Sequence, residues 1–186
     1  MPITFLHYPV ALGLSKISKN LSLPGLIVGS FIPDIEVPFL AIFYRGVLPD
    51  HFILHSLIGA VTIGTFLAVL LTRFLYTPLV SRIFKQDNKI LKNKCKITYF
   101  LILSCLLGNI FHIFLDVIMH PYNPILWPWI NPNDIVGPLV LLFSFLTHDI
   151  NQAFLIANVL TNTIMGGIGI IIILIYRKNL WESLLT

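Results

Sequence analysis

Apolar residues in this chain are gathered into runs that are long enough to cross a membrane. A bilayer core about 30 Å thick requires roughly 20 apolar residues in a helix that rises about 1.5 Å per residue. Four runs reach this length, near residues 24–43, 52–76, 97–119 and 153–176. A shorter apolar segment, 136–148, predicts a re-entrant or interfacial helix and leaves a fifth crossing open. The pattern therefore predicts an all-α, polytopic membrane bundle of four to five spans.

Prolines and ionisable residues interrupt the first run. Pro33 and Pro38 lack the backbone N–H that a helix interior uses, so they predict a broken or kinked helix that faces protein or water at this point. Asp34 and Glu36 stand between these prolines. Ionisable side chains are costly in hydrocarbon, so they are expected where they line a cavity, move protons or hold a metal.

Composition supports a membrane protein. Of 186 residues, 56% are hydrophobic and 11% are charged, against roughly a quarter charged in an average soluble domain. We expect a single integral membrane domain over residues 1–186, since no linker or repeat divides it. The opening residues hold His7 and lack a basic stretch before the apolar run, so we expect them to belong to the mature fold. A short N-terminal helix near residues 5–14 would carry His7 about 15 Å from Lys16 towards the other candidate ligands.

Basic residues predict how the spans are oriented. They fall in the loop 82–96, after the last span at Arg177 and Lys178, and before the first span at Lys16 and Lys19. We expect the protein to lie in the inner membrane of the cell. The positive-inside rule then places all three basic clusters, and with them the C-terminus, in the cytoplasm. This asymmetry explains the net charge of +4, so the expected partner is the lipid bilayer and not nucleic acid. The oligomeric state stays open.

Histidines and one aspartate are spaced to meet on helix faces. His51 and His55 are four residues apart at the start of the second predicted span, and His112 and Asp116 have the same spacing inside the third. Residues spaced in this way share one face, so these four predict a metal site with Asp116 as a common or bridging ligand. His120 lies about 12 Å along the helix from His112 and is expected to be peripheral.

The ligand types indicate the metal. Imidazole and carboxylate without thiolate suit zinc, manganese, iron or nickel, with zinc the default for hydrolysis. More candidate ligands are present than one tetrahedral ion requires, so one or two ions are compatible with the sequence. Cys95 and Cys105 predict neither a disulfide framework nor a cysteine zinc site. Asp50 is expected to cap the helix that begins near His51.

Four short motifs together resemble the membrane-bound, predicted metal-dependent hydrolases. They are Met-Pro-Ile-Thr-Phe-Leu-His7, Gly29-Ser-Phe-Ile-Pro33-Asp34-Ile-Glu36, His51-x-x-x-His55-Ser56, and Gly108-x-x-x-His112-x-x-x-Asp116 leading to Leu126-Trp127-Pro128-Trp129. The resemblance covers about residues 1–130 in the expected order.

The resemblance implies six metal ligands and one further acid. The implied ligands are His7, Asp34, His51, His55, His112 and Asp116. Glu36 would be a ligand or the catalytic general base. The chain departs from the family pattern at Phe52 and Leu54, where the family often has arginine and threonine, so an anion contact of that arginine is missing here.

Three functions fit these residues. The first is a membrane-embedded hydrolase that acts on an ester or phosphodiester of a lipid or lipid-linked substrate, because a site within the bilayer opens to acyl chains. The second is a metal or proton transporter, although residues 65–76 and 163–176 offer little polar lining for a pathway. The third is a non-catalytic subunit of a membrane complex in which the metal is structural.

Overall fold

Helices form every regular element of the residues that the structure describes. The structure is a computed structural model that describes residues 4–44, 51–178 and 180–185, and Asp50 lies outside these ranges. A 3₁₀ turn, Thr4–His7, leads into the first of eight helices. The helices are α1 (Tyr8–Ile17), α2 (Leu23–Phe43), α3 (Leu57–Phe84), α4 (Asn88–Lys94), α5 (Tyr99–Met119), α6 (Pro138–Thr147), α7 (Ile150–Tyr176) and α8 (Leu180–Leu185).

Four of these helices are long and apolar enough to cross a membrane. They are α2, α3, α5 and α7, with 21, 28, 21 and 27 residues. The predicted all-α bundle is therefore confirmed, and the apolar character of these helices indicates a membrane protein. The short N-terminal helix is also present as α1. The apolar segment 136–148 forms the short helix α6.

The predicted start of the second span is wrong. The span was expected near residues 52–76, but α3 begins at Leu57, where the Ser56 hydroxyl accepts the N–H of Gly59, and continues to Phe84. Residues 51–56 form an irregular loop, so His51 and His55 do not share a helix face. The physical reason is tertiary, because a carboxylate from another helix binds the backbone N–H groups of this loop.

The prolines of α2 do not break it. The helix runs without interruption from Leu23 to Phe43 with Pro33 and Pro38 inside it, so the expected break is absent. Prolines are tolerated in membrane helices where neighbouring helices or side chains supply new partners for the backbone groups that proline leaves unpaired. Asp34 and Glu36 consequently project from a regular helix.

The bundle has a basic end and an opposite end. The Ser22 hydroxyl, at the start of α2, donates to the Lys94 carbonyl oxygen at 2.9 Å, and Lys16 Nζ lies 5.4 Å from the centre of the Tyr176 ring. These contacts bring the lysines before α2, the loop before α5 and the end of α7 together. The loops that follow α2 and α5 meet at the other end.

Helices α2 and α5 run parallel and touch through their backbones. Ser22 N–H donates to Ser104 Oγ at 2.8 Å near one end, and His112 meets Ser30 two turns further along. Between these points the helices approach at glycines: a Cβ at Gly29 would overlap the Cys105 carbonyl oxygen, and a Cβ at Gly108 would lie 2.9 Å from Ser30 N. The close approach fixes the register in which residues of α2 face residues of α5.

Replacing Gly29 with alanine tests this contact. The added methyl group must push apart two backbones, so we expect Gly29→Ala to lower the free energy of unfolding by about 1–3 kcal/mol. Thermal unfolding in detergent measures the effect. Gly166→Ala in α7 is the matched control, because no described atom lies within 4 Å of a Cβ at that glycine. Equal stability of the two variants would contradict the proposed role of the contact.

Candidate metal centre

Glu36 shapes the loop that carries two of the histidines. Its Oε1 accepts the backbone N–H of Phe52 at 2.7 Å, and its Oε2 accepts that of Leu54 at 2.8 Å. Oε1 also accepts the Nδ1–H of His55 at 2.7 Å. Glu36 is 9% exposed, so these bonds form away from water. The carboxylate therefore fixes the loop and turns the Nε2 atom of His55 away from itself.

A backbone carbonyl orients His112 in the same way. The Nδ1 atom of His112 lies 2.7 Å from the Ser30 carbonyl oxygen, which can only accept, so Nδ1 carries the hydrogen. In a neutral ring the lone pair is then on Nε2. Metal-binding histidines almost always donate their other ring N–H to a carboxylate or a carbonyl group. His55 and His112 both show this arrangement.

Four side chains bring one ligand atom each to a common point. His112 Nε2 lies 3.4 Å from Asp34 Oδ1 and 3.3 Å from Asp116 Oδ2. His55 Nε2 lies 3.6 Å from Asp34 Oδ1 and 3.5 Å from Asp116 Oδ2. The ligand atoms of the four residues all fall within 4.8 Å of one another. This group, Asp34, His55, His112 and Asp116, is called the first group below.

The distances in the first group fit a shared ion better than direct hydrogen bonds. Charge-assisted N–H···O bonds are about 2.7–2.9 Å long, shorter than these contacts. Ligand atoms placed about 2.0–2.1 Å from a tetrahedral zinc ion lie about 3.3–3.4 Å apart, which matches. The Nε2 atoms of His55 and His112 and both Asp116 oxygens are buried without a hydrogen-bond partner among the described residues. The donor set therefore fits a metal ion.

Asp116 also belongs to a second group. His51, Asp116 and His120 bring ligand atoms within 4.8 Å of one another, and the rings of His51 and His120 lie 5.0 Å apart. The Nε2 atoms of both histidines are buried and have no hydrogen-bond partner among the described residues. This trio is called the second group. The common position of Asp116, expected from its spacing, follows from its membership of both groups.

The peripheral position expected for His120 is wrong. His120 was set aside because it lies two helical turns from His112, but α5 ends at Met119 and His120 has extended backbone that turns its ring towards the loop 51–56. Its carbonyl oxygen accepts the N–H of Gly137 at 2.8 Å and the Asn123 side-chain amide at 2.9 Å, which holds the turn. The spacing of four residues from Asp116 was the signal in the sequence.

Both histidines of the second group are neutral at pH 7. Burial lowers the pKa of His120 to about 4. Burial, together with the neighbouring His55 and His120, lowers the pKa of His51 to about 3. A neutral imidazole offers the lone pair that a metal ion requires.

His7 lies against the centre but belongs to neither group. Its side chain is 2% exposed, and its Nε2 atom lies 3.5 Å from Asp116 Oδ1. The His7 ring stacks on His112 with 4.0 Å between the centroids. The short helix α1 carries His7 from the basic end to this depth. His7 as a metal ligand, and Glu36 as a catalytic base, stay predictions, although the three hydrogen bonds of Glu36 favour an orienting role.

A cleft opens beside the second group at the end of the bundle away from the lysines. Its volume is about 590 Å³, and Phe52, Tyr122, Trp127 and Asn131 are among the residues that line it. The rings of Phe52 and Trp127 lie 4.8 Å apart. Tyr122 also lines the small recess that contains His51, His55, Asp116 and His120. The cleft therefore adjoins the candidate centre through Tyr122.

One comparison with known proteins assigns a family. A family model described as a domain of unknown function, DUF4184, matches residues 1–184, and the chain therefore belongs to this family. No curated protein and no solved structure matches the chain.

Replacing Glu36 with glutamine tests how the first group is held. An amide offers one acceptor oxygen in place of two and turns an N–H₂ group towards N–H donors, so His55 loses its orientation. We expect the zinc affinity of Glu36→Gln to fall about 10- to 100-fold, as measured by competition with a chromophoric chelator. Asp134→Asn, at an exposed acid, is the control and should bind as the wild type does. Unchanged affinity in Glu36→Gln would show that the carboxylate does not orient His55.

Replacing His120 with alanine tests the two groups separately. The second group loses one of its three residues while the first group keeps all four. We expect the wild-type protein to hold two ions per chain and His120→Ala to hold one, measured by plasma mass spectrometry of purified protein. His148→Asn is the matched control, since His148 is exposed and asparagine tolerates its left-handed backbone. Equal metal content in wild type and His120→Ala would exclude a second ion.

Proposed function

We propose that this member of the DUF4184 family is a membrane-embedded, metal-dependent hydrolase that cleaves an ester or phosphodiester of a lipid or lipid-linked substrate. The ions are proposed to be zinc, which favours tetrahedral sites of imidazole and carboxylate. The resemblance to the membrane-bound, predicted metal-dependent hydrolases agrees with this proposal. The proposal assigns the two groups different tasks.

The number of side chains in the second group carries the proposal. Structural zinc sites have four protein ligands, whereas catalytic sites have three and keep one position for water or substrate. The first group supplies four residues and the second supplies three. The second group is also the one beside the cleft, through Tyr122. A closed and an open site that share Asp116 fit a hydrolytic centre better than a purely structural one.

The residues of the chain have distinct roles in this proposal. His51, Asp116 and His120 hold the ion at the open position, while Asp34, His55 and His112 hold the other ion with Asp116. A bound metal supplies an activated water molecule and stabilises negative charge at the reacting oxygens. Glu36 and the Ser30 carbonyl group act as positioning groups, because they fix the rings of His55 and His112.

His7 is the proposed proton carrier. It lies against Asp116 outside both groups, so its ring is placed to exchange a proton at Nε2 without leaving an ion. Its stacking on His112 holds the ring in place. General acid–base catalysis by a positioned histidine contributes about 10²- to 10⁴-fold to a rate.

The interior below the centre argues against transport. An ion pathway requires polar lining on both sides of its binding site. Between the centre and the basic end, α2, α3 and α5 bury Leu26, Ala68, Leu101 and Cys105 almost completely. The polar side chains buried in the same part, Thr72 and Ser104, are uncharged, and their hydroxyl groups donate to carbonyl oxygens of their own helices. These residues therefore offer an ion no charged ligand. A hydrolase requires access from one side alone.

The proposed placement in the cell follows from the basic end. The protein is proposed to lie in the inner membrane, with the lysine-rich loop 82–96 and the C-terminus in the cytoplasm. The centre then lies in the outer half of the bilayer. Asp34 is then about 17 Å along α2 from its cytoplasmic start. This depth suits a substrate with its polar group near the outer surface and its chains in the membrane.

Two substitutions test the proposal together. We expect Asp116→Asn to lose metal and all hydrolysis of a panel of lipid esters and phosphodiesters, because both groups lose their shared carboxylate. We expect His7→Gln to keep its metal and to lower kcat by about 10²-fold or more. Metal content and turnover are measured on the same purified samples.

The outcomes separate the candidate functions. Hydrolysis that persists in Asp116→Asn would exclude a catalytic role of the centre. Metal uptake into proteoliposomes by the wild type, without turnover, would favour a transporter. His148→Asn should match the wild type in both assays, which controls for handling of the variants.

A further inference from the structure

A large apolar groove lies between α7 and the rest of the bundle. Its volume is about 540 Å³. Its walls come from the N-terminal turn and α1, from α2, α3 and α7, and from α8, and they include Leu6, Phe31, Val80, Ile170 and Trp181. Helix α7 is nearly separate from the bundle here, because its buried residues, Ala153 and Ala157, both lie at its other end. The groove therefore runs through the part of the bundle nearer the lysines.

Glycines leave the α7 wall of the groove open. Gly166 and Gly169 are three residues apart, so they lie on one face of α7, and both line the groove. A Cβ placed at either glycine would meet no described atom within 4 Å. These glycines are thus not required for contact with another helix of this chain. Larger residues at these positions would occupy the space in the groove.

The two tyrosine hydroxyl groups in the walls already have partners within the chain. The Tyr8 hydroxyl donates to the Leu184 carbonyl oxygen at 3.0 Å, and the Tyr76 hydroxyl donates to the Leu185 carbonyl oxygen at 2.9 Å. These bonds also fasten α8 between α1 and α3. A polar ligand would gain no hydrogen bond from these two hydroxyl groups, so the wall suits hydrocarbon.

We propose that this groove binds one acyl chain of a membrane lipid. The groove is bounded by α2, α3 and α7, three of the helices that are long enough to span a membrane. In a bilayer the groove would therefore be surrounded by lipid acyl chains. Its volume is in the range of about 300–1,000 Å³ of small-molecule sites. A single flexible chain fits walls contributed by six elements.

The groove and the candidate centre share the N-terminal segment. Leu6 and Tyr8 line the groove, whereas His7, which stands between them in the sequence, lies against Asp116 and does not line the groove. A chain in the groove would therefore contact both sequence neighbours of the residue proposed to carry the proton. The identification of the bound lipid as a substrate rests on the proposed hydrolase, whereas the binding of the chain does not.

Filling the groove tests the proposal without requiring turnover. Protein in nanodiscs of phosphatidylethanolamine and phosphatidylglycerol is washed with detergent, and native mass spectrometry then measures the lipid retained per chain. We expect wild type to retain one lipid and Gly166→Leu to retain at least about tenfold less, since each displaced methylene group weakens binding about fourfold. Gly169→Leu is a second variant at the same wall.

Gly167→Leu is the matched control. Gly167 is also open to a Cβ, but it is exposed and does not line the groove, so the same leucine should leave lipid retention unchanged. Zinc content and thermal unfolding of all variants report whether the fold is intact. Equal lipid retention in wild type, Gly166→Leu and Gly169→Leu would overturn the proposal.

Two other results have distinct meanings. A wild-type dimer that becomes a monomer in Gly166→Leu, measured by light scattering, would show that a second copy fills the groove and would overturn the proposal. If the wild type retains lipid but hydrolyses none, and Gly166→Leu loses the lipid, the groove is supported and the proposed function is contradicted. If the wild type hydrolyses lipids and Gly166→Leu retains as much lipid as the wild type, the proposed function is supported and the groove proposal is overturned.

Discussion

The direct backbone contact between α2 and α5 is the constraint on which the candidate centre depends. Gly29 and Gly108 let the two parallel helices touch, and the touching surfaces bring the Ser30 carbonyl group to His112. The same register sets Asp34 opposite His112 at 3.4 Å. A wider separation would leave these polar groups buried without partners, which is costly in an apolar interior. The geometry of the candidate centre therefore depends on the packing of these small residues.

A second carboxylate connects this helix pair to the loop 51–56. Glu36 uses both oxygens to bind the loop, and the loop in turn supplies His55 to the first group and His51 to the second group around Asp116. The short helix α1 adds His7 from a third direction. Residues from four separate segments thus converge on one carboxylate. Such convergence within an apolar bundle is expected where function, and not stability alone, maintains buried charge.

The spans were predictable because their signal is local. An apolar run of about 20 residues defines a spanning helix whatever surrounds it, so α2, α5 and α7 begin and end within a few residues of their predicted bounds. The start of α3 was not predictable in this way. Glu36 binds backbone N–H groups of residues 52–54, and a bond between distant segments overrides the local preference for helix. The unbroken α2 also departs from its local signal, because the helix continues through Pro33 and Pro38.

By itself, the sequence determined the residue types of the centre and their spacing along each helix, which is why His112 and Asp116 were placed on one face. It also determined the separation of basic and apolar segments. The tertiary structure alone decided that Asp116 belongs to two groups, that His120 turns back into one of them, and that Glu36 orients a ligand. It also opened a groove beside Gly166. These features depend on which helices touch and on the register of their contact. Neither can be read from the sequence of one helix alone.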